Sequence, residues 1–325
     1  MPSPASGSGG TSRRQAAAAL LTAAAGWQAA RHPAWADDAA SGPSSGSFYN
    51  DWPYLTPSDI LPYLRATANP GDIDSVLSAI DRFAGFYPMY RCGPEKGAIL
   101  ESLVARQRPQ LALELGTFMG YGAARISRQL PPGGRLITIE AGEEQAEVAR
   151  QVLQLCGVET GEGPGARVQV VNGLSGDVLP RLRELAGTAA GLAAGLVFLD
   201  HCKPCYLPDL ISMERLGLVQ AGTVVVADNV LVPGAPDYLA HVGADAARAR
   251  RSLVESDALD ISLPLGTTPA SGGAGAGDGG GSGCAYRTQL VGSMFEVEQR
   301  FKPDWQPQQD ALSVSLCLQG LPGAA

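Results

Sequence analysis

Apolar residues fall at helical spacing soon after Asp72. Val76, Leu77, Ile80 and Phe83 mark one face, and Asp72 and Asp74 sit near the start, where carboxylates suit the helix dipole. A second helix is predicted from about Gly93 to Gln107, with Pro94 in its first turn and Ile99, Leu100, Leu103 and Val104 on one face. Short apolar runs then alternate with helix-length stretches. Strands are expected at Leu111–Leu115, Arg135–Ile139, Arg167–Val171, Leu196–Leu199 and Thr223–Ala227, with helices near 121–130, 143–156, 176–186 and 206–217. Strands that are apolar throughout and separated by helices imply an α/β fold, a parallel sheet covered on both faces. After His241 the regularity fails, and a β pattern returns at about Ala285–Glu298 and Ala311–Leu318, read as an antiparallel pair closing one sheet edge.

The stretches without pattern are as informative. The chain holds 41 glycines and 24 prolines, concentrated at both ends and in PASGGAGAGDGGGSG at 269–283. That last stretch has nothing to bury and is expected to be a flexible insertion, taken from about 266 to 283. At the N-terminus, Arg13-Arg14 precede an alanine-rich run and Ala34-Trp35-Ala36, the form of a twin-arginine export signal; a leader without any address is the plainer alternative. The run is too short and too weakly apolar for a stable membrane span. Residues 1–47 are therefore expected to be leader and linker, and 48–325 a single domain. A formal charge of −8 argues against a nucleic-acid binder. Six cysteines are too few for a disulfide scaffold at this length, and those in apolar runs, such as Cys156 and Cys317, read as small buried hydrophobes.

Candidate chemistry gathers at the strand ends. The first strand runs into Glu114-Leu115-Gly116-Thr117-Phe118-Met119-Gly120, an E-x-G-x-x-x-G pattern distinct from the G-x-G-x-x-G of dinucleotide-binding domains. The second ends in Glu140, positioned to accept hydrogen bonds from ribose hydroxyls. A glycine turn followed by an acidic residue on the next strand suits an adenosyl cofactor, and the missing phosphate spacing favours S-adenosylmethionine over NAD. A tight turn beside a solvated Glu140 is the structural alternative. The fourth strand ends in Asp200-His201-Cys202-Lys203 and the fifth in Asp228-Asn229. In a parallel sheet these share one edge. Two carboxylates and an amide oxygen form a hard oxygen set suited to Mg²⁺, and Lys203 is a candidate base; separately, each aspartate reads as a turn former.

These residues resemble the catechol O-methyltransferases, a family dependent on S-adenosylmethionine and Mg²⁺. The resemblance rests on Leu113-Glu114-Leu115-Gly116 with Gly120-Tyr121, Leu136–Glu140, Val197–His201 with Lys203 and Tyr206-Leu207-Pro208-Asp209, and Ala227–Val230 with Pro233–Asp237. Asp74–Asp81 in the first helix is also similar, and the match runs over about 70–242. It implies a Rossmann-like class I methyltransferase fold, with a seven-stranded, mostly parallel sheet and helices on both faces. It further implies Asp200, Asp228 and Asn229 as metal ligands and Lys203 as the base that takes a catechol proton. Tyr90, Cys92, Glu114, Gly116, Gly120, Glu140, Ser175 and His201 match cofactor-contacting positions. Glu296, in Ser293-Met294-Phe295-Glu296, matches the acid that holds the second hydroxyl. A monomer acting on a small catechol-type molecule is the expectation. The chain departs from the family where Gly122 replaces a serine and where Cys202 and Pro88 replace tryptophans, while Pro233 retains one gate position.

Three other readings compete. Cys202-x-x-Cys205 after a strand suits a thiol redox protein or, with His201, an incomplete zinc site. A catalytically silent relative would serve as a binding protein, but the metal and base positions are all filled. Within enzymes, caffeoyl esters or other vicinal diphenols are alternative acceptors.

Overall fold

The computed structural model describes residues 57–85, 89–163, 165–187, 193–244, 284–294 and 309–321. By internal contacts the chain divides into two units, 1–60 and 61–325, and the second holds the fold. The leader, the glycine-rich insertion, Pro88 and Glu296 lie outside the described residues.

A 3₁₀ turn at Pro57–Asp59 leads into α1 (Ile60–Thr67), followed by α2 (Ile73–Ala84) and α3 (Gly93–Gln107). The alternating part comprises β1 (Leu111–Leu115), α4 (Tyr121–Gln129), β2 (Arg135–Glu140), α5 (Glu143–Leu155) and β3 (Val168–Asn172). After α6 (Ser175–Val178) and α7 (Leu182–Leu185) come β4 (Leu196–Leu199), α8 (Tyr206–Arg215), β5 (Val224–Ala227) and α9 (Pro236–His241). The chain ends its described part with β6 (Ala285–Met294) and β7 (Gln309–Gln319). The sheet order is β3-β2-β1-β4-β5-β7-β6, with β1 to β5 parallel and β6 and β7 antiparallel.

Local chemistry explains the main elements. Asp72 caps α2 by accepting from Ser75 N at 3.1 Å, and the expected face of Val76, Leu77, Ile80 and Phe83 is buried. Residues of β1, β4 and β5 are buried along their whole length, as both faces carry helices. Two expectations change. The helix expected near 176–186 is two single turns joined by a 3₁₀ turn, Leu179–Arg181, because Pro180 has no N–H to continue the ladder. A helix also precedes Asp72, in α1, where no element was predicted. The antiparallel pair at the sheet edge is as expected, and residues 295–298 of the expected first strand lie outside the described residues.

Candidate active site

The parallel strands deliver their C-terminal ends to one edge. Leu115 pairs with Leu199 and Leu199 with Ala227, so the residues just after β4 and β5 stand side by side. The ladder continues one step: Asp200 N donates to Leu115 O and Asp228 N to Leu199 O, both at 2.9 Å. Close approach also explains Gly116, whose φ is +96°: a Cβ there would lie 2.5 Å from Asp200 O. Main chain, rather than a ligand, occupies that space.

At this edge Lys203 Nζ donates to Asp200 Oδ1 at 3.2 Å and to the Tyr206 hydroxyl at 2.6 Å. The same hydroxyl lies 2.7 Å from Leu199 O and 3.0 Å from Asp228 O, so it donates back to the strand ends. Burial and the nearby Asp200 and Asp228 push Tyr206 well above the usual phenol range, keeping it a neutral donor. Burial also raises the Asp200 carboxyl to about 7, with Lys203 opposing and Asp228 adding to the rise. An extra positive charge would therefore stabilise its ionised form.

Sequence patterns missed the other half of this corner. Lys96, 1% exposed, donates to Asp228 Oδ1 at 2.6 Å and to Asp310 Oδ2 at 2.7 Å. Burial lowers its pKa, but the two carboxylates outweigh burial and hold it above the ordinary lysine value. Asp310 lies in β7 and also accepts from Asn229 Nδ2 at 2.9 Å. One signal was present in each case: Lys96 shares the apolar face of α3 with Leu100 and Leu103, and Asp310 is the one charged residue of β7.

After these contacts, Asp200 Oδ2, Asp228 Oδ2 and Asn229 Oδ1 remain without a hydrogen-bond partner among the described residues. Two carboxylate oxygens and one amide oxygen fit a hard divalent cation that keeps water and substrate as further ligands. No group of three or more His, Cys, Asp or Glu able to hold a metal occurs among the described residues, which leaves the zinc reading of His201, Cys202 and Cys205 without support. In the Cys202-x-x-Cys205 pair, the hydrogen bond with Cys202 and burial push the Cys205 thiol up.

The β1–β2 side gathers the adenosyl candidates. Glu140 Oε2 accepts from Phe118 N at 2.7 Å and Oε1 from Gly142 N at 2.9 Å, so its carboxylate is held in place. Tyr90 meets the Phe118 ring edge-on at 6.2 Å, and Cys92 is buried at the start of α3. Ser175 opens α6 just after β3, and Gly120 precedes α4. His201 Nε2 lies 2.8 Å from Asp209 Oδ2 and its ring stacks on Tyr206 at 5.1 Å. Burial lowers the His201 pKa against the pull of Asp209, and Nδ1 is buried with no partner among the described residues. A neutral ring donating to Asp209 leaves Nδ1 as an acceptor for a ligand's N–H or O–H. That orphaned atom fits an adenosyl group.

Glu114 differs from its neighbours. It is fully buried, accepts from Thr138 Oγ1 at 2.6 Å, and burial holds it well above the usual carboxylate range. Gly122 lies beside it, and a Cβ there would press on Glu114 Oε1 and shift that carboxyl group.

A family model described as O-methyltransferase matches residues 81–255. Catechol O-methyltransferase B of Danio rerio is 46% identical over 187 residues, 57% of this chain and 67% of that protein. Catechol O-methyltransferase of Mus musculus is 40% identical over 184 residues, 56% of this chain and 66% of that protein. A probable O-methyltransferase of Mycobacterium tuberculosis is 45% identical over 184 residues, 55% of this chain and 75% of that protein. The match thus spans about two thirds of the length of the fish and mouse proteins. No helix among the described residues is long and apolar enough to cross a membrane.

Proposed function

The chain belongs to the O-methyltransferase family, and from that premise we propose that it transfers a methyl group from S-adenosylmethionine to one hydroxyl of a catechol held on Mg²⁺. The observation that carries this reading is the trio of unengaged oxygens, Asp200 Oδ2, Asp228 Oδ2 and Asn229 Oδ1, with Lys203 Nζ 3.2 Å from Asp200. The names of the fish and mouse relatives support catechol as the acceptor class.

Methyl transfer to oxygen is an in-line displacement, so the acceptor oxygen must be ionised and aimed at the methyl carbon. Catechol at neutral pH is mostly protonated. Asp200, Asp228 and Asn229 would hold Mg²⁺, which when bound would supply positive charge that acidifies a hydroxyl. Lys203 Nζ takes the proton from the hydroxyl that becomes methylated, and Tyr206 keeps the amine beside Asp200. Glu140, steadied by Phe118 N and Gly142 N, accepts from the ribose hydroxyls, each charged bond contributing about 1.5–3 kcal/mol. His201 Nδ1 accepts from the same ligand.

The test is a labelled-methyl transfer screen over catechol, caffeate, their analogues and matched monophenols, with and without Mg²⁺. Transfer to ortho-diphenols that requires Mg²⁺ is expected. Turnover of monophenols, or turnover indifferent to the metal, would reject the chelated-catechol reading.

A further inference from the structure

Asp310 is fully buried, lies in β7 far from every motif, and has all its acceptor capacity in use. Its Oδ2 accepts from Lys96 Nζ at 2.7 Å and Asn229 Nδ2 at 2.9 Å; its Oδ1 accepts from Leu231 N at 3.1 Å and Val232 N at 3.0 Å. Four donors saturate a carboxylate, so Asp310 itself has no lone pair to offer a cation. What it controls is Asn229.

A carboxamide has a donor end and an acceptor end, and only the oxygen can ligate a hard cation. Turned the wrong way, Asn229 would present an NH₂ group to the site and repel the ion. Its backbone is already fixed: φ is +54°, and its N–H donates to Asp228 Oδ1 at 2.6 Å. The side-chain amide therefore has one remaining choice, which end faces Asp310. A carboxylate accepts and cannot donate, so it admits only the NH₂ end. Oδ1 is left facing away from Asp310.

We propose that Asp310 is a positioning residue for the divalent cation: by accepting from Asn229 Nδ2 it fixes the amide with Oδ1 toward the site, and so sets the affinity of the ion. Lys96 makes this arrangement possible by standing between Asp310 and Asp228, two buried carboxylates that would otherwise repel. The inference rests on the metal reading given above.

The experiment measures Mn²⁺ binding by electron paramagnetic resonance, with S-adenosylmethionine binding by calorimetry and Tm alongside, in the full chain. Asp310→Asn keeps an oxygen for Leu231 N and Val232 N but turns an NH₂ group toward Asn229 and toward Lys96, which keeps Asp228 as its carboxylate partner. The Asn229 amide then inverts. Mn²⁺ affinity is expected to fall by about 10- to 100-fold, the usual cost of losing a partner that orients a metal ligand, while cofactor binding is unchanged.

Charge alone cannot mimic the second half of the test. In an Asn229→Asp background residue 229 presents oxygen whichever way it turns, and Asp310→Asn replaces a carboxylate facing it with an NH₂ donor, so adding that substitution is expected to leave Mn²⁺ affinity unchanged or raise it. If the same loss appears there, Asp310 acts through its charge and the proposal is overturned. It is also overturned if Asp310→Asn alone binds Mn²⁺ as well as the unsubstituted chain. Should that single variant not fold, the Asn229→Asp pair decides by itself: an equal or tighter double variant is the expected result, and a weaker one overturns it. An unsubstituted chain that binds no Mn²⁺ removes the metal reading and this inference together, a result distinct from the others.

Discussion

Lys96 and Lys203 both reach aspartates at the carboxyl edge of the sheet, one from α3 and one from the turn after β4. Lys96 is 1% exposed and bonded at 2.6 and 2.7 Å to two carboxylates, each itself buried. Lys203 keeps 15% of its side-chain surface open and meets a single carboxylate, at 3.2 Å. A lysine clamped between two buried carboxylates cannot give up its proton without leaving two unpaired charges in the interior. A lysine with one looser partner and access to solvent can exchange a proton with a substrate. Residue type is therefore a poor guide to role here. The number of carboxylates and the degree of burial separate the clamped lysine from the one proposed as the base.

Exchanging their phenotypes would break this comparison. Lys203→Ala is expected to lower kcat by about 10²–10⁴, the range for a lost general base, while Tm stays within a few degrees because the lost pair is partly exposed. Hydroxide can substitute for the missing amine, so activity of the variant should recover as the pH rises. A steady-state pH profile with a melting curve at each point checks both halves. Near-normal kcat at pH 7 would leave the cation alone to ionise the substrate.

Lys96→Met should do the reverse. It keeps the volume of the stem but strands Asp228 and Asp310 as neighbouring buried charges, at a cost of about 3–5 kcal/mol. At about 2–4 °C per kcal/mol the melting temperature should fall by roughly ten degrees. Divalent cation added to the variant should restore part of that loss, because the ion replaces positive charge beside Asp228. A melting temperature equal to that of the unsubstituted chain would show that the buried cluster is not what the two bond lengths indicate.

This contrast also separates what local pattern can show from what it cannot. Asp200, His201 and Lys203 follow one apolar strand and Asp228 and Asn229 another, so the parallel topology alone brings them together. Glu140 was legible for the same reason, as the last residue of β2. The bond between Lys96 and Asp310 joins residues 214 positions apart, and nothing near either residue specifies the other. Gly116 was visible as a glycine, but its reason, the Asp200 carbonyl, lies on another strand end of the sheet. Among the helices, α1 escaped notice because Pro57 and Pro62 flank and interrupt a short apolar pattern beside a proline-rich linker. The break between α6 and α7 follows from Pro180, which periodicity alone does not weigh.

A third pair sharpens the comparison, because its cationic partner is a histidine. Glu214, 2% exposed, accepts from His241 Nε2 at 2.8 Å and from the Tyr286 hydroxyl at 2.6 Å. The hydrogen bond to Glu214 raises the His241 pKa above its ordinary value, against the effect of burial. A raised folded-state value means the unfolded chain releases this proton first. The stabilisation is thus complete below the unfolded value of about 6.5 and disappears as pH climbs through the higher folded value. Lys96 should show no such loss in this range, because its pKa lies far above it. The difference in Tm between the unsubstituted chain and His241→Gln should therefore be largest near pH 5.5 and shrink toward pH 9, with an amplitude of about 1 kcal/mol, or about 2–4 °C. A difference that stays constant across that span would mean the imidazole acts here as a neutral spacer, and that among these three pairs only the lysines carry charge to their aspartates.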